Sequence, residues 1–167
     1  MKKIMNFILV CLMTFHFTGC SSQNIPEHTY TRKTLSYYLI NEFHDYVSIN
    51  KDVKTEELSK HLIQIERIEF KGTAKDIEEG YLDGIINYKV TGFKNGAMIK
   101  ANKTKIPFIG YIFEVDQSTD KQLFMENLKT NADKQYKTLL DDEDIYIEQE
   151  NNMIFFLICP DNIEEFY

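Results

Sequence analysis

The chain has 167 residues, of which 43% are hydrophobic and 13% aromatic, and its formal net charge at pH 7 is −7. General disorder is excluded, because disordered chains are poor in aromatic and β-branched residues. The length suits one domain with its own core. The excess of acidic residues disfavours nucleic acid as a partner, since binding to phosphates requires clustered Lys and Arg.

The first 20 residues have the layout of an export signal. Lys2 and Lys3 provide a positive start, and an apolar run from Ile4 to Phe17 follows. This run has a length typical of a secretory signal and is shorter than the about 20 residues of a membrane-spanning helix. We therefore predict a signal peptide over residues 1–19.

The segment Phe17-Thr18-Gly19-Cys20 ends this signal. It resembles the lipobox of bacterial prolipoproteins, in which small residues precede an obligatory cysteine. The resemblance implies that the Cys20 thiol takes a diacylglyceryl group and that cleavage occurs between Gly19 and Cys20. Two acyl chains attach a protein stably, whereas one chain binds only marginally. The open alternatives are an ordinary secretory signal and an uncleaved N-terminal anchor.

A lipidated Cys20 predicts an extracytoplasmic domain anchored to the cell membrane, or to the outer membrane if the host has two. Apart from the covalent lipid, we expect no cofactor. Loss of residues 1–19 would remove Lys2 and Lys3, leaving 17 basic and 26 acidic residues and a net charge of −9. Residues 20–33 then form the lipidated cysteine and a flexible tether, and residues 34–167 a single domain.

Helical spacing of apolar residues predicts three helices. The first begins after Thr34, and its apolar side is formed by Leu35, Leu39, Phe43 and Tyr46. The second begins at Thr55-Glu56-Glu57, and its apolar side is formed by Leu58, Leu62 and Ile65. The third is a long helix over about 118–140, with Ser118 as its N-cap.

Five extended runs predict strands, three before the long helix and two after it. The first three cover residues 85–91, 97–101 and 108–115, and Asn95-Gly96 between two of them predicts a hairpin turn. The last two, 145–148 and 153–159, flank a second predicted turn. We therefore predict an α+β fold, in which the helices pack on one face of a mostly antiparallel sheet of about five strands.

The passage from Phe108 to Val115, the helix after it and the closing hairpin resemble a family of small lipoproteins of low-GC Gram-positive bacteria. The resemblance covers residues 55–161 and depends on the order of the elements. That family carries a domain of unknown function, so it implies no activity.

Candidate catalytic and metal-binding groups each have a simpler structural interpretation. Cys159, the one thiol left after processing besides Cys20, ends an apolar run and is predicted to lie in the core. Glu57 and His61 share a helix face, but no third metal ligand accompanies them, so surface hydrogen bonds or ion pairs are favoured. The acidic run Asp141–Asp144 lacks the Ca²⁺-loop pattern and is predicted to be a solvated loop. We therefore assign no catalytic residue and no metal ligand.

A lysine-rich segment is less easily explained. Residues 84–113 contain no acid and five lysines, namely Lys89, Lys94, Lys100, Lys103 and Lys105. Such a segment could contact an anionic lipid surface or wall polymer. In the alternative that we favour, the lysines protect exposed strands against edge pairing and face the acidic helices.

Two classes of function are consistent with these features. The first is a non-enzymatic envelope lipoprotein that binds a protein, an anionic polymer or a small ligand. The second is an envelope enzyme, of a hydrolase type, with a polar site scattered through the chain. A deep pocket with converging carboxylates, or with a carboxylate beside His44 or His61, would favour the enzyme.

Overall fold

The computed structural model of the chain describes residues 34–138 and 144–167. The predicted signal peptide, Cys20, the tether and residues 141–143 of the acidic run lie outside the described residues. The helices are α1 (Leu35–Ile49), α2 (Thr55–Leu62) and α3 (Lys121–Thr130), and short 3-10 helices cover Tyr136–Thr138 and Ile163–Phe166. The strands are β1 (Gly72–Ile77), β2 (Gly80–Tyr81), β3 (Lys89–Val90), β4 (Phe93–Ala101), β5 (Ile109–Val115), β6 (Ile145–Glu150) and β7 (Met153–Ile158).

Five of the strands form one antiparallel sheet in the order β1-β4-β5-β7-β6, and β2 and β3 form a separate two-stranded ribbon. The sheet and its packed helices confirm the predicted α+β fold. The central strand β5 is buried along almost its whole length, because both of its faces are covered. The edges are β1 and β6.

Helices cover both faces of the sheet, so the prediction of a single covered face is wrong. On the first face α1 and α2 pack on Ile99, Ile112 and Phe155. On the second face α3 and residues 82–90 pack on the alternate side chains of the same strands, including Phe113. The β5 and β7 runs are continuously apolar, which is the pattern of strands buried on both sides.

The start of α1 agrees with its sequence signals. The Thr34 side chain caps the helix by accepting a hydrogen bond from the backbone N–H of Tyr37 at 3.3 Å. The apolar side then enters the core, where the ring centroids of Phe43 and Phe155 are 5.3 Å apart. The predicted first helix is confirmed.

The predicted long helix is much shorter than expected. Asp120, rather than Ser118, caps it, since its carboxylate accepts a hydrogen bond from the backbone N–H of Leu123 at 3.0 Å. The helix ends at Thr130 because the next residues pair with another segment. The carbonyl of Asn131 accepts from the backbone N–H of Ile86 at 2.8 Å.

Two strand predictions are wrong in position, although five strands do form the sheet. Asn95-Gly96 lies inside β4, beside a register shift that follows Phe93, and makes no turn. Residues 85–91 form only part of the β2–β3 ribbon and an isolated bridge, and β1 supplies the fifth strand instead. The closing hairpin is confirmed, with Asn151 at φ 56° in its two-residue turn.

Candidate functional site

The two ends of the sheet differ, and each is defined by the strand register. At one end Lys100, Ile109, Ile158 and Ile145 lie side by side across four strands. Residue 34, where the described chain begins, is at this end, because Ser36 lies within hydrogen-bonding reach of Tyr146 on β6. We name this the tether end, and the opposite one the distal end.

A polar cleft of about 620 Å³ opens at the distal end. It is lined by residues 51–56, 76–77, 94–96, 114 and 152–153. These residues come from the α1–α2 connection, the start of α2, the end of β1, the start of β4, the end of β5 and the β6–β7 turn. We name this group of residues the distal cleft. Its volume lies within the range of small-molecule sites.

Three residues of the distal cleft form ion pairs, namely Glu56, Lys94 and Glu114, and Glu114 is the least exposed of them. Its side chain is only 18% exposed. One carboxylate oxygen accepts a hydrogen bond from the Asn95 amide at 2.6 Å. The other accepts from the Asn152 amide at 3.4 Å and lies 3.5 Å from the Lys94 ammonium. This network links β4, β5 and the β6–β7 turn beneath the cleft.

The walls of the distal cleft carry charges of both signs. Lysines 51, 54 and 94 provide the cations, and Asp52, Glu56, Asp76 and Glu114 provide the anions. The hydrogen bond from Lys60, one helical turn away, holds the pKa of Glu56 below its usual value, and the same bond raises the pKa of Lys60. Glu56 is therefore a carboxylate at neutral pH.

The histidines that the sequence offers lie outside the distal cleft. His61 on α2 contacts the Glu42 carboxylate of α1, with Nε2 at 2.6 Å from Oε1, and stacks on Tyr46. Glu57 accepts a hydrogen bond from the Tyr46 hydroxyl at 3.0 Å. Glu57 and His61 thus both form surface contacts, each with a partner on α1 rather than with each other.

His44 links α1 to the edge strand β6. Its Nδ1 lies 3.1 Å from a Glu150 oxygen and its Nε2 lies 3.4 Å from a Glu148 oxygen. Both ring nitrogens therefore face carboxylates. Its position between two secondary-structure elements makes His44 a packing contact rather than a lining residue of the cleft.

Cys159 lies in the core, which confirms its structural interpretation. Its side chain is fully buried on the face that α1 and α2 cover. Burial raises the pKa of the thiol well above its ordinary value, and the carboxylates of Asp144 and Asp161 add to the effect. A thiol in this environment stays protonated and does not act as a nucleophile.

The five lysines of the basic segment do not form one surface. Lys94 is at the distal end, and Lys103 and Lys105 are on the β4–β5 loop at the tether end. Lys89 is exposed on β3. The ammonium of Lys100 lies 3.5 Å from Asp83. Since β4 runs between β1 and β5, the lysines on it do not protect a sheet edge.

Within residues 34–138 and 144–167, no group of three or more His, Cys, Asp or Glu side chains is arranged to hold a metal ion. In the same residues no helix is both long enough and apolar enough to cross a membrane. Sequence reasoning did not find the distal cleft, because its charged residues come from segments that are distant in sequence.

Comparison with known proteins found no match for this chain. No protein-family model matches it, no curated protein matches it and no solved structure matches it. The resemblance of residues 55–161 to small lipoproteins, like the lipobox itself, therefore stays a prediction.

Proposed function

We propose that the chain is a membrane-anchored extracytoplasmic lipoprotein whose domain binds a ligand or an envelope partner without chemical conversion. The observation that carries this proposal is the position of the lipobox Cys20, 14 residues before Thr34 at the tether end. The distal cleft opens at the other end of the same sheet. The point where the proposed tether would join the domain and the candidate binding site thus lie at opposite ends of the described fold.

The dimensions suit this arrangement. A flexible tether of 14 residues has a root-mean-square length of roughly 20 Å. The nine residues of β4 span about 30 Å between the two ends. The distal cleft would therefore be held several tens of ångströms from the bilayer, within reach of other envelope components.

The lining of the distal cleft favours a polar ligand that carries both signs of charge. Three lysines and four carboxylates surround it, and Ile77, Met153 and Val53 supply limited apolar contact. Segments of protein and peptide-containing polymers present ammonium, carboxylate and amide groups together. Such a ligand would find a counterpart for each of its charges.

The contents of the cleft support binding rather than covalent catalysis. No His, Cys, Ser or Tyr belongs to its lining residues. A serine or cysteine nucleophile activated by a neighbouring histidine, as in acyl transfer, therefore has no basis there. The three histidine–carboxylate contacts, two at His44 and one at His61, connect α1 to its neighbours outside the cleft.

The alternative, an envelope hydrolase, is favoured by one observation, which is that Glu56, Asp76 and Glu114 share the distal cleft. A pair of carboxylates can act as general acid and base when their environments separate their pKa values. Glu114→Gln and Asp76→Asn variants would then abolish turnover of envelope polymers, whereas a binding site would lose affinity without any turnover to lose.

Lipidation is tested by metabolic labelling with an alkyne analogue of palmitate in a bacterial host. The full chain should become labelled and enter the membrane fraction, and the Cys20→Ser variant should do neither. Cys159→Ser is the matched control, because this buried thiol should not affect labelling. Label retained by Cys20→Ser, or an intact initiating methionine on the membrane-bound protein, would contradict the proposal.

Binding at the distal cleft is tested by photo-crosslinking in cells. A photoreactive amino acid replaces Asp52 in the cleft wall, or Lys129 on exposed α3 as the matched control. We expect a discrete adduct from position 52 that is absent from position 129. Identical adducts from both positions, or none from position 52, would argue against the cleft as the binding site.

A further inference from the structure

We propose that the tether end has a cationic contact surface for an anionic bilayer, formed by Lys71, Lys103 and Lys105. This surface would fix the orientation of the domain on the membrane and direct the distal cleft away from it. The inference rests on the proposed anchorage through Cys20, because the tether determines which end of the domain faces the lipid.

The geometry brings these three lysines together from separate segments. Lys103 and Lys105 lie on the loop between β4 and β5. Lys71 directly precedes β1, and its carbonyl accepts a hydrogen bond from the backbone N–H of Asn102 at 2.8 Å. The two segments are therefore adjacent. All three lysine side chains are exposed.

The chain enters the domain at the same end. The Arg67 guanidinium lies 4.6 Å from the centre of the Tyr38 ring, which places the start of α1 beside the segment that leads to Lys71. The tether would therefore join the domain at the same end of the sheet as the lysine loop. A lipid attached 14 residues upstream would keep this end within reach of the headgroups.

The charges of the three lysines are not compensated within the described part of the molecule. Among residues 34–138 and 144–167, no carboxylate lies within ion-pair distance of Lys71, Lys103 or Lys105, whereas Lys94 and Lys100 each contact one. The Lys137 ammonium donates to the Ile106 carbonyl of the same loop at 2.7 Å. Partial burial, followed by the proximity of Lys100, lowers the pKa of Lys137.

Acidic groups are also present at the tether end, and some of them lie on another side of it. Asp144, Asp161 and Glu164 surround Cys159, beyond β6 and β7. The lysine loop follows β4, three strands from β6, a separation of about 14 Å. Glu69 and Glu164 both lie near Tyr167, whose ring centre is 5.5 Å from that of Phe70 beside Lys71, so the lysines most distant from these acids are Lys103 and Lys105 on the β4–β5 loop. The bilayer contact would therefore use the β1–β4–β5 side of this end.

An anionic bilayer is favoured over a soluble polyanion because the tether would hold the domain next to the bilayer. Each lysine near an anionic membrane contributes about a fivefold gain in binding. Three lysines alone give weak attachment, but the tether supplies a high effective concentration of lipid. A free polymer gains nothing from the tether.

The test measures lysine reactivity on tethered protein. The chain from Cys20 onward, which includes every described residue, is coupled through the Cys20 thiol to a maleimide lipid in vesicles. Cys159 is fully buried and should not react. The vesicles contain either phosphatidylcholine alone or an added third of phosphatidylglycerol, and acetylation of each lysine by an activated ester is followed by mass spectrometry.

On the anionic vesicles we expect the acetylation rates of Lys71, Lys103 and Lys105 to fall about fivefold or more. The distal Lys51 and Lys54 should react equally on both vesicles. High salt should remove the protection, since exposed charges are screened. Equal rates for the three lysines on both vesicles, or protection of Lys51 and Lys54, would overturn the proposal.

Charge-matched variants make the test specific. Lys103→Gln with Lys105→Gln should abolish the protection of Lys71, whereas Lys51→Gln with Lys54→Gln should leave it intact. If both pairs abolish it, overall charge rather than this surface is responsible and the proposal fails. Because the coupling is chemical, these results do not depend on whether cells lipidate Cys20.

Discussion

The two ends of the sheet differ in how far their side chains are buried. The tether end is packed to its tip, where Phe108 is fully buried and the centre of its ring lies 4.9 Å from that of Phe70. The distal end is open, and charged residues surround a cleft above Glu114. Ile49, at the distal end of α1, is 78% exposed.

The lysines differ in the same way. At the tether end Lys103 and Lys105 have no carboxylate partner among the described residues, and at the distal end Lys94 contacts Glu114. A lysine without an internal partner can form an ion pair with an external anionic surface. A lysine that is paired within the domain mainly holds the neighbouring side chains in position. Lys94 and Lys103 are close in sequence but lie at opposite ends of the domain, because most of strand β4 separates them.

The largest expected effect concerns packing at the tether end. Phe108→Ala should lower the free energy of unfolding by about 3–5 kcal/mol, because it removes a fully buried ring and leaves a cavity. Urea denaturation measures the change. Ile49→Ala at the distal end is the control and should change stability by less than about 0.5 kcal/mol. Similar losses for both variants would refute the contrast between the ends.

A second effect is alkaline instability that originates near the tether end. Burial, followed by the charge of Asp83, raises the pKa of Tyr136 to about 12. Since the unfolded chain ionises first, the contribution of Tyr136 is complete below its ordinary pKa of 10.0 and is lost as the pH rises through 12.

Tyr136→Phe should therefore reduce the loss of stability between pH 10 and pH 12 by about 1–2 kcal/mol. Thermal unfolding across this range measures the change. Tyr81→Phe is the matched control, because Tyr81 is 78% exposed. An alkaline profile of Tyr136→Phe that coincides with the parent profile would contradict this prediction.

At the distal end, Glu114→Gln should cost about 1 kcal/mol. Asn95 and Asn152 donate to different oxygens of Glu114, so an amide that replaces one oxygen with NH2 loses one acceptor, and the contact with Lys94 loses its charge. Chemical denaturation should detect the change, and Glu78→Gln, at an exposed site, should be neutral. A Glu114→Gln variant as stable as Glu78→Gln would show that the network beneath the cleft does not stabilise the fold.

The smallest effect is expected from the exposed pair of Glu56 and Lys60. Lys60→Gln should lower the melting temperature by no more than about 1–2 °C. The stabilisation should fade as the pH falls through the lowered pKa of Glu56, and at the other extreme as it rises through the raised pKa of Lys60. Salt should weaken it. An effect of Lys60→Gln that persists at pH 2 would argue against an ion pair.

Much of the fold could be predicted from local patterns. Thr34 followed by an apolar stripe predicts α1, and the uninterrupted apolar runs of β5 and β7 predict strands buried on two sides. The predicted closing hairpin also forms, because its turn residues tolerate positive φ. These features depend on residues within a few positions of one another.

Other features depend on pairing between distant segments. The β1 strand, Gly72–Ile77, has no strong strand pattern and forms because β4 offers it an edge. Asn95-Gly96 prefers a turn when considered alone, but pairing with β5 keeps it extended. The α3 helix ends at Thr130 because the residues after it hydrogen-bond to residues 84–86.

The sequence by itself determined the α+β class, the core role of Cys159 and the prediction of a lipid anchor, since each depends on local composition or spacing. Only the tertiary structure decided that the two sheet faces are both covered, that a cleft opens at the distal end, and that Lys94 lies far from Lys103. The physical reason is that a strand of nine residues separates neighbours in sequence by the length of the domain, while antiparallel pairing brings together groups that are distant in the chain.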